Sequence, residues 1–146
     1  MEAHRHATTE IGLRKNLAHS RLIEFLSLLA LCSAYIQGPI TKIFDFNGAL
    51  AEMDHFGLHP TLFFAVVVII FELAMSAAIL SGFVRWAAAL ALAAFTILAT
   101  LLALRFWELP PGVERTMAMN GFFEHLGLAG AFVLVAWHDL RTKKRL

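Results

Sequence analysis

Residues Thr61 to Phe83 read TLFFAVVVIIFELAMSAAILSGF, an apolar run broken near its middle by one acid, Glu72. The run is long enough to cross a bilayer, because about 20 residues rising ~1.5 Å each cover the ~30 Å hydrocarbon core. A carboxylate at that depth costs several kcal/mol, so it is kept for a partner or a task. The rest of the chain is read outward from this point, as an integral membrane protein that keeps one acid inside.

Composition agrees. Hydrophobic residues make up 59% of the 146, against ~45–50% in soluble domains. Mean hydropathy is +0.69. The length allows one domain. The single cysteine, Cys32, excludes an internal disulfide and C-x-x-C chemistry. Cysteine-paired membrane quinone reductases and disulfide-forming membrane enzymes are excluded with it. As a lone Cys in an apolar run, Cys32 reads as a small core residue.

Four hydrophobic segments follow. The first runs from Leu22 to about Phe44, with Gly38 and Pro39 expected to kink its far end. The second is Thr61 to Phe83, entered through Pro60. The third is Trp86 to about Leu104, and the fourth is a short Gly121 to Trp137. Lipid offers no partner to backbone polar groups, so each run must be helical. No alternation suggests a barrel. The expected fold is all-α, an antiparallel four-helix membrane bundle. Its domains are a polar leader at residues 1–20, a membrane domain at 21–138 and a basic tail at 139–146. The leader is long, contains Glu2 and Glu10, and is followed by no A-x-A site, so the first segment reads as a retained helix rather than a signal peptide.

Charge sets the expected orientation. Nine of the 12 Lys and Arg residues fall on the side of the two termini and the Arg85 turn; Lys42, Arg105 and Arg115 fall on the other. Both termini are therefore expected in the cytoplasm, and the chain reads as a multi-pass protein of a bacterial inner membrane. Trp86 and Trp137 fall near one boundary and Trp107 near the other, as interfacial anchors. The basic tail reads as a topology determinant touching anionic lipid, not as a nucleic-acid site. In the first outer loop, Phe46, Leu50, Met53 and Gly57 share a helical stripe, which predicts a short interfacial helix lying over the bundle.

The order of these pieces resembles the DoxX family of small four-helix membrane proteins. The first helix ends on Gly38-Pro39-Ile40-Thr41-Lys42-Ile43-Phe44. The second carries Phe71-Glu72-Leu73-Ala74 ahead of small residues. A tight turn leads into Gly82-Phe83-Val84-Arg85-Trp86-Ala87-Ala88-Ala89. The fourth opens on Phe122-Phe123-Glu124-His125-Leu126-Gly127-Leu128-Ala129-Gly130. The resemblance covers about residues 18–138. Arg105-Phe106-Trp107 stands where the family has a His-Phe-Trp-like signature, and Glu124-His125 where it has Lys-Asn. The resemblance implies thiosulfate:quinone oxidoreduction, quinol oxidation, or a place in a membrane redox or detoxification complex.

Two readings of Glu72 stand side by side. It is a structural polar anchor between helices, or a proton acceptor facing a quinone in a buried pocket. Lys42 is the family-matched partner, provided the Gly38-Pro39 kink lowers it toward Glu72. Glu24 suits Arg85 as a charge pair, because both fall near the cytoplasmic surface. A second candidate site gathers Arg105, Trp107 and Glu108 from the end of the third helix with Glu124 and His125 from the start of the fourth. Lys42 ends the first helix on the same side. There an Arg can polarise a quinone carbonyl and His125 can move a proton. Ordinary helix-end charges satisfied by water are the plainer account of that cluster. The Asp54-His55-x-x-x-His59 spacing is a weak metal signal, and His4, His6 and His19 lie in the leader; no metal site is assigned.

The residues supply no redox group, so any cofactor is a diffusible quinone or belongs to a partner. Three functions fit these residues: a quinone-linked oxidoreductase subunit, a non-catalytic membrane anchor recruiting a soluble enzyme, and a small-solute or proton pathway. The expected partners are membrane lipid and a protein of a redox complex, with no nucleic acid.

Overall fold

The computed structural model describes the backbone of residues 2–143 and the side chains of residues 20–143. Five helices and one 3-10 turn follow in order: α1 (Glu2–Phe44), α2 (Phe46–His55), α3 (Thr61–Ser81), α4 (Arg85–Ala103), the 3-10 turn (Phe106–Glu108) and α5 (Val113–Lys143). Four stretches are long and apolar enough to cross a membrane: Ser20–Phe44, Thr61–Ser81, Arg85–Glu108 and Val113–Lys143. The chain is thus an all-α membrane protein whose four spans alternate in direction, with α2 and the 3-10 turn at the end opposite the termini. The leader's histidines and basic residues, and Lys144 and Arg145, lie outside the described side chains.

The core is a seam of small and apolar residues. Leu28, Cys32 and Tyr35 of α1 meet Ile79 of α3, Ala88, Ala89, Leu92 and Ala93 of α4, and Ala129, Phe132 and Ala136 of α5. Lipid tails are as apolar as leucine, so burial away from lipid contributes little, and close packing with interhelical hydrogen bonds must hold the spans together. The alanines of α4 let the backbones approach. Tyr35 meets Phe132 edge-on, with ring centroids 5.3 Å apart. Large apolar side chains such as Leu22, Phe63, Ile70, Leu98 and Leu134 are exposed on the outer faces, as lipid-facing residues should be.

The predicted loop helix is α2. Asp45 caps it, accepting a hydrogen bond from Gly48 N at 2.9 Å. Ala49 and Met53 bury against Ala65, with Phe46 and Leu50 alongside. Gly57 falls beyond the helix at φ 69, in the turn that follows it. At the other end of α3, Gly82 at φ 80 stops the helix in the left-handed region that glycine enters without cost.

Two boundaries differ from the sequence reading. The fourth helix begins at Val113, not Gly121, and runs to Lys143, not Trp137. Its first two turns, Val113 to Asn120, are polar enough to escape an apolar-run reading, yet the true breaker is the Pro110-Pro111-Gly112 stop just before it. The end of α1 agrees with the sequence reading: the helix carries Gly38 and a fully buried Pro39 and runs on to Phe44.

Candidate functional site

Four helices each turn one stripe inward, and the stripes carry the polar residues with them. On α3 the buried residues Ala65, Ile69, Ser76 and Ile79 leave position 72 on the same line, at alternating spacings of four and three. On α4, Ala88, Leu92, Thr96 and Thr100 recur every fourth residue and are all buried. On α5, His125 precedes the buried Ala129, Phe132 and Ala136 at spacings of four, three and four. On α1, Tyr35 follows Leu28 and Cys32. The helical period that packs the bundle therefore aims an acid, an imidazole, a phenol and two threonine hydroxyls at one place.

They meet around a cavity of about 150 Å³. Tyr35, Glu72, Thr96 and His125 supply its polar lining, and Ala34, Phe95, Ala99 and Leu128 the rest. Behind this lining runs a short ladder of hydrogen bonds. Thr96 Oγ1 donates to Leu92 O at 2.6 Å, and Thr100 Oγ1 donates to Thr96 O at 2.6 Å. The Tyr35 hydroxyl bonds Thr96 Oγ1, and His125 Nδ1 lies 3.0 Å from Thr100 Oγ1. Among the described residues, no hydrogen bond or ion pair reaches the carboxyl of Glu72. Glu72 begins about 16 Å along α3 from its first residue, well inside a ~30 Å core.

The other candidate residues lie elsewhere. Lys42 pairs with Glu52 of α2, Nζ to Oε2 at 2.7 Å, and not with Glu72. Arg105 pairs with Glu108 at 3.1 Å and faces an open groove shared with Glu114 and His55. Trp107 joins a cluster of rings with Phe106 and Phe122. Glu124 is exposed. The outer-end cluster is thus divided, because α5 starts at Val113 and carries His125 twelve residues down the helix to the level of Thr100. Glu24 meets Arg85 through Oε1 and Nη1, and the same guanidinium donates from Nε to Ile79 O at 2.9 Å. Asp54 and His59 lie 3.6 Å apart, both exposed. Among the described residues, no group of three or more His, Cys, Asp or Glu side chains is placed to hold a metal ion.

Tyr35, Thr96 and Thr100 were not singled out from sequence. The signal was present: Tyr35 is the only tyrosine of the chain, and Thr96 and Thr100 stand one turn apart in a helix that is apolar from Trp86 onward but for these two.

Comparison with known proteins bears on this arrangement. No curated protein and no solved structure matches the chain. The DoxX family profile matches residues 26–105. That stretch holds Tyr35, Glu72, Thr96 and Thr100, and stops short of His125. It takes in more than half of the sequence, and the chain belongs to the DoxX family.

Proposed function

We propose that the chain is a quinone-linked subunit of a membrane redox complex, and that its cavity receives the head group of a diffusible quinone. The observation that carries the reading is Glu72 and His125 lining one ring-sized cavity inside the bundle. A cavity of ~150 Å³ lined by apolar side chains holds a benzene ring. A bound quinone would supply two-electron chemistry coupled to two protons. The chain's part is to exclude water with Phe95 and Leu128, to orient the ring, and to hold or move protons at the Glu72 carboxyl and His125 Nε2. The reading also takes the termini as cytoplasmic and the membrane as a bacterial inner membrane, on the Lys and Arg distribution.

The test is purification in mild detergent with mass spectrometry of the extract. Wild type is expected to retain quinone. Glu72→Gln and His125→Ala are each expected to lower the bound amount about tenfold, roughly one lost charged or neutral hydrogen bond. Lys42→Ala and Arg105→Ala are expected to leave it unchanged, since both residues are paired outside the cavity. Quinone retained by both cavity variants would sink the reading.

One observation favours a second role as an anchor for a soluble enzyme. Helix α5 has 31 residues. At ~1.5 Å per residue it is about 46 Å long, so it outreaches a ~30 Å core. The surplus turns carry Glu114 and Arg115 at one end and Asp139, Arg141 and Lys143 at the other. This role predicts a specific copurifying protein whose recovery survives Glu72→Gln.

A further inference from the structure

The hydrogen-bond ladder behind the cavity has a direction, and the direction constrains what the cavity can hold. A threonine hydroxyl has one hydrogen to give. Thr100 Oγ1 sits 2.6 Å from Thr96 O, and Thr96 Oγ1 sits 2.6 Å from Leu92 O. A carbonyl cannot donate, so at these distances both threonine hydrogens are spent on the helix backbone. With the opposite assignment, two oxygens would face each other at 2.6 Å with no hydrogen between them. His125 Nδ1, 3.0 Å from Thr100 Oγ1, must therefore carry the hydrogen of that bond. The Tyr35 hydroxyl must likewise donate to Thr96 Oγ1.

The consequence lies on the cavity side. Neutral imidazole has one N–H, so placing it on Nδ1 leaves Nε2 as an acceptor. The Tyr35 oxygen keeps its lone pairs but has no hydrogen free. Glu72 offers a carboxyl oxygen that accepts in either protonation state, and only its acid form has a hydrogen left to give. The apolar walls, Phe95 and Leu128 among them, offer no donor at all. No cationic side chain lines the cavity, since Lys42 and Arg105 are paired elsewhere.

We infer that Thr96 and Thr100 are positioning residues, which commit the hydrogens of Tyr35 and His125 away from the cavity so that it selects an aromatic ring bearing a hydroxyl donor over the same ring with that hydroxyl capped. A small anion meets three acceptors and no cation there, and is disfavoured. The inference rests on the same cavity as the quinone reading and specifies the form of the ligand that the chain itself recognises: the reduced head group, which bears an O–H, rather than the oxidised one, which bears only carbonyls.

The experiment uses the full chain in detergent, with two probes that differ by one methyl group, 4-fluorophenol and 4-fluoroanisole. Binding is followed by fluorine NMR. The His125 tautomer is read by nitrogen-15 NMR, its signal identified by its loss in His125→Gln. The expected result is hydrogen on Nδ1 and fluorophenol bound about tenfold tighter than fluoroanisole. Thr100→Val should remove the tautomer preference and narrow the ratio to about twofold, and Thr100→Ser should restore both. Hydrogen on Nε2 in the wild type, equal binding of the probes, or binding of neither overturns the inference. The wild-type measurements decide the matter even if Thr100→Val does not fold. Donor preference without retained quinone would overturn the quinone reading alone. Retained quinone without donor preference would overturn this inference alone.

Discussion

Glu72 costs the least where α3 places it, on the stripe that faces the other helices, with a phenol and an imidazole for company. On any other face of the same helix the carboxylate would meet acyl chains. Glu72→Leu should therefore leave the bundle at least as stable in detergent, because an apolar residue of similar size removes a half-buried polar group that makes no hydrogen bond or ion pair. Thermal denaturation measures this, and a marked fall would mean that Glu72 holds the helices together. Glu72→Lys should prevent accumulation in the membrane, since a cation would enter a cavity with no acid to answer it. The acid was legible in the sequence because an ionisable residue in an apolar run is conspicuous. Its company was not, because Glu72 and Ser76 mark the inward face of α3 but nothing in the run says which residues of the other helices that face meets.

At the scale of elements, the turn between α3 and α4 bears the most stringent geometry. Arg85 donates to the Ile79 carbonyl at the end of α3, which also accepts from Gly82 N at 3.3 Å, and it reaches Glu24 on α1, so one side chain ties three helices. Glu24 is about half exposed, so the ion pair itself is worth at most ~1 kcal/mol; the cap and the fixed fork matter as much. Arg85→Ala is expected to cost about 1–3 kcal/mol of stability, and Arg85→Lys to recover less than half, because an ammonium cannot serve both partners in one geometry. Equal stability of Lys and wild type would refute the two-partner account. Just before it, Val84 holds φ 42, a left-handed conformation unfavourable to a β-branched residue. Val84→Asn should raise the unfolding midpoint, by relief of about 1 kcal/mol. The turn was expected from Gly82 and Arg85. The length of α5 was not, because its first turns are polar and only the preceding Pro-Pro-Gly betrays where it starts.

At the scale of the molecule, packing rather than hydrophobic transfer holds the four spans, and Phe132 sits at the centre of that packing, fully buried against Tyr35. Phe132→Ala is expected to cost about 2 kcal/mol or more, below the 3–5 kcal/mol typical of water-soluble cores, because the unfolded reference stays in lipid and only the cavity part remains. Cys32 gives the means to measure it. It is the only cysteine of the chain and has no exposed surface. A maleimide should react slowly with the native protein and rapidly in one transition on heating, with Phe132→Ala moving that transition down. Fast labelling at low temperature would place Cys32 outside the core.

What the sequence determined unaided was everything that depends on the solvent. Long apolar runs force helices, since lipid leaves backbone groups no other partner, and four such runs joined by short connections give an antiparallel bundle. It also marked the acid, the Gly82-Arg85 turn and the amphipathic loop helix. Only the tertiary structure decided which faces meet. Rotation of each helix about its own axis depends on close fits among alanines, glycines and rings, and the few polar residues at helical spacing, Glu72 with Ser76 and Thr96 with Thr100, do not say which faces meet. That rotation is what brings Tyr35, Glu72, Thr96, Thr100 and His125 together, and what sends Lys42 and Arg105 elsewhere.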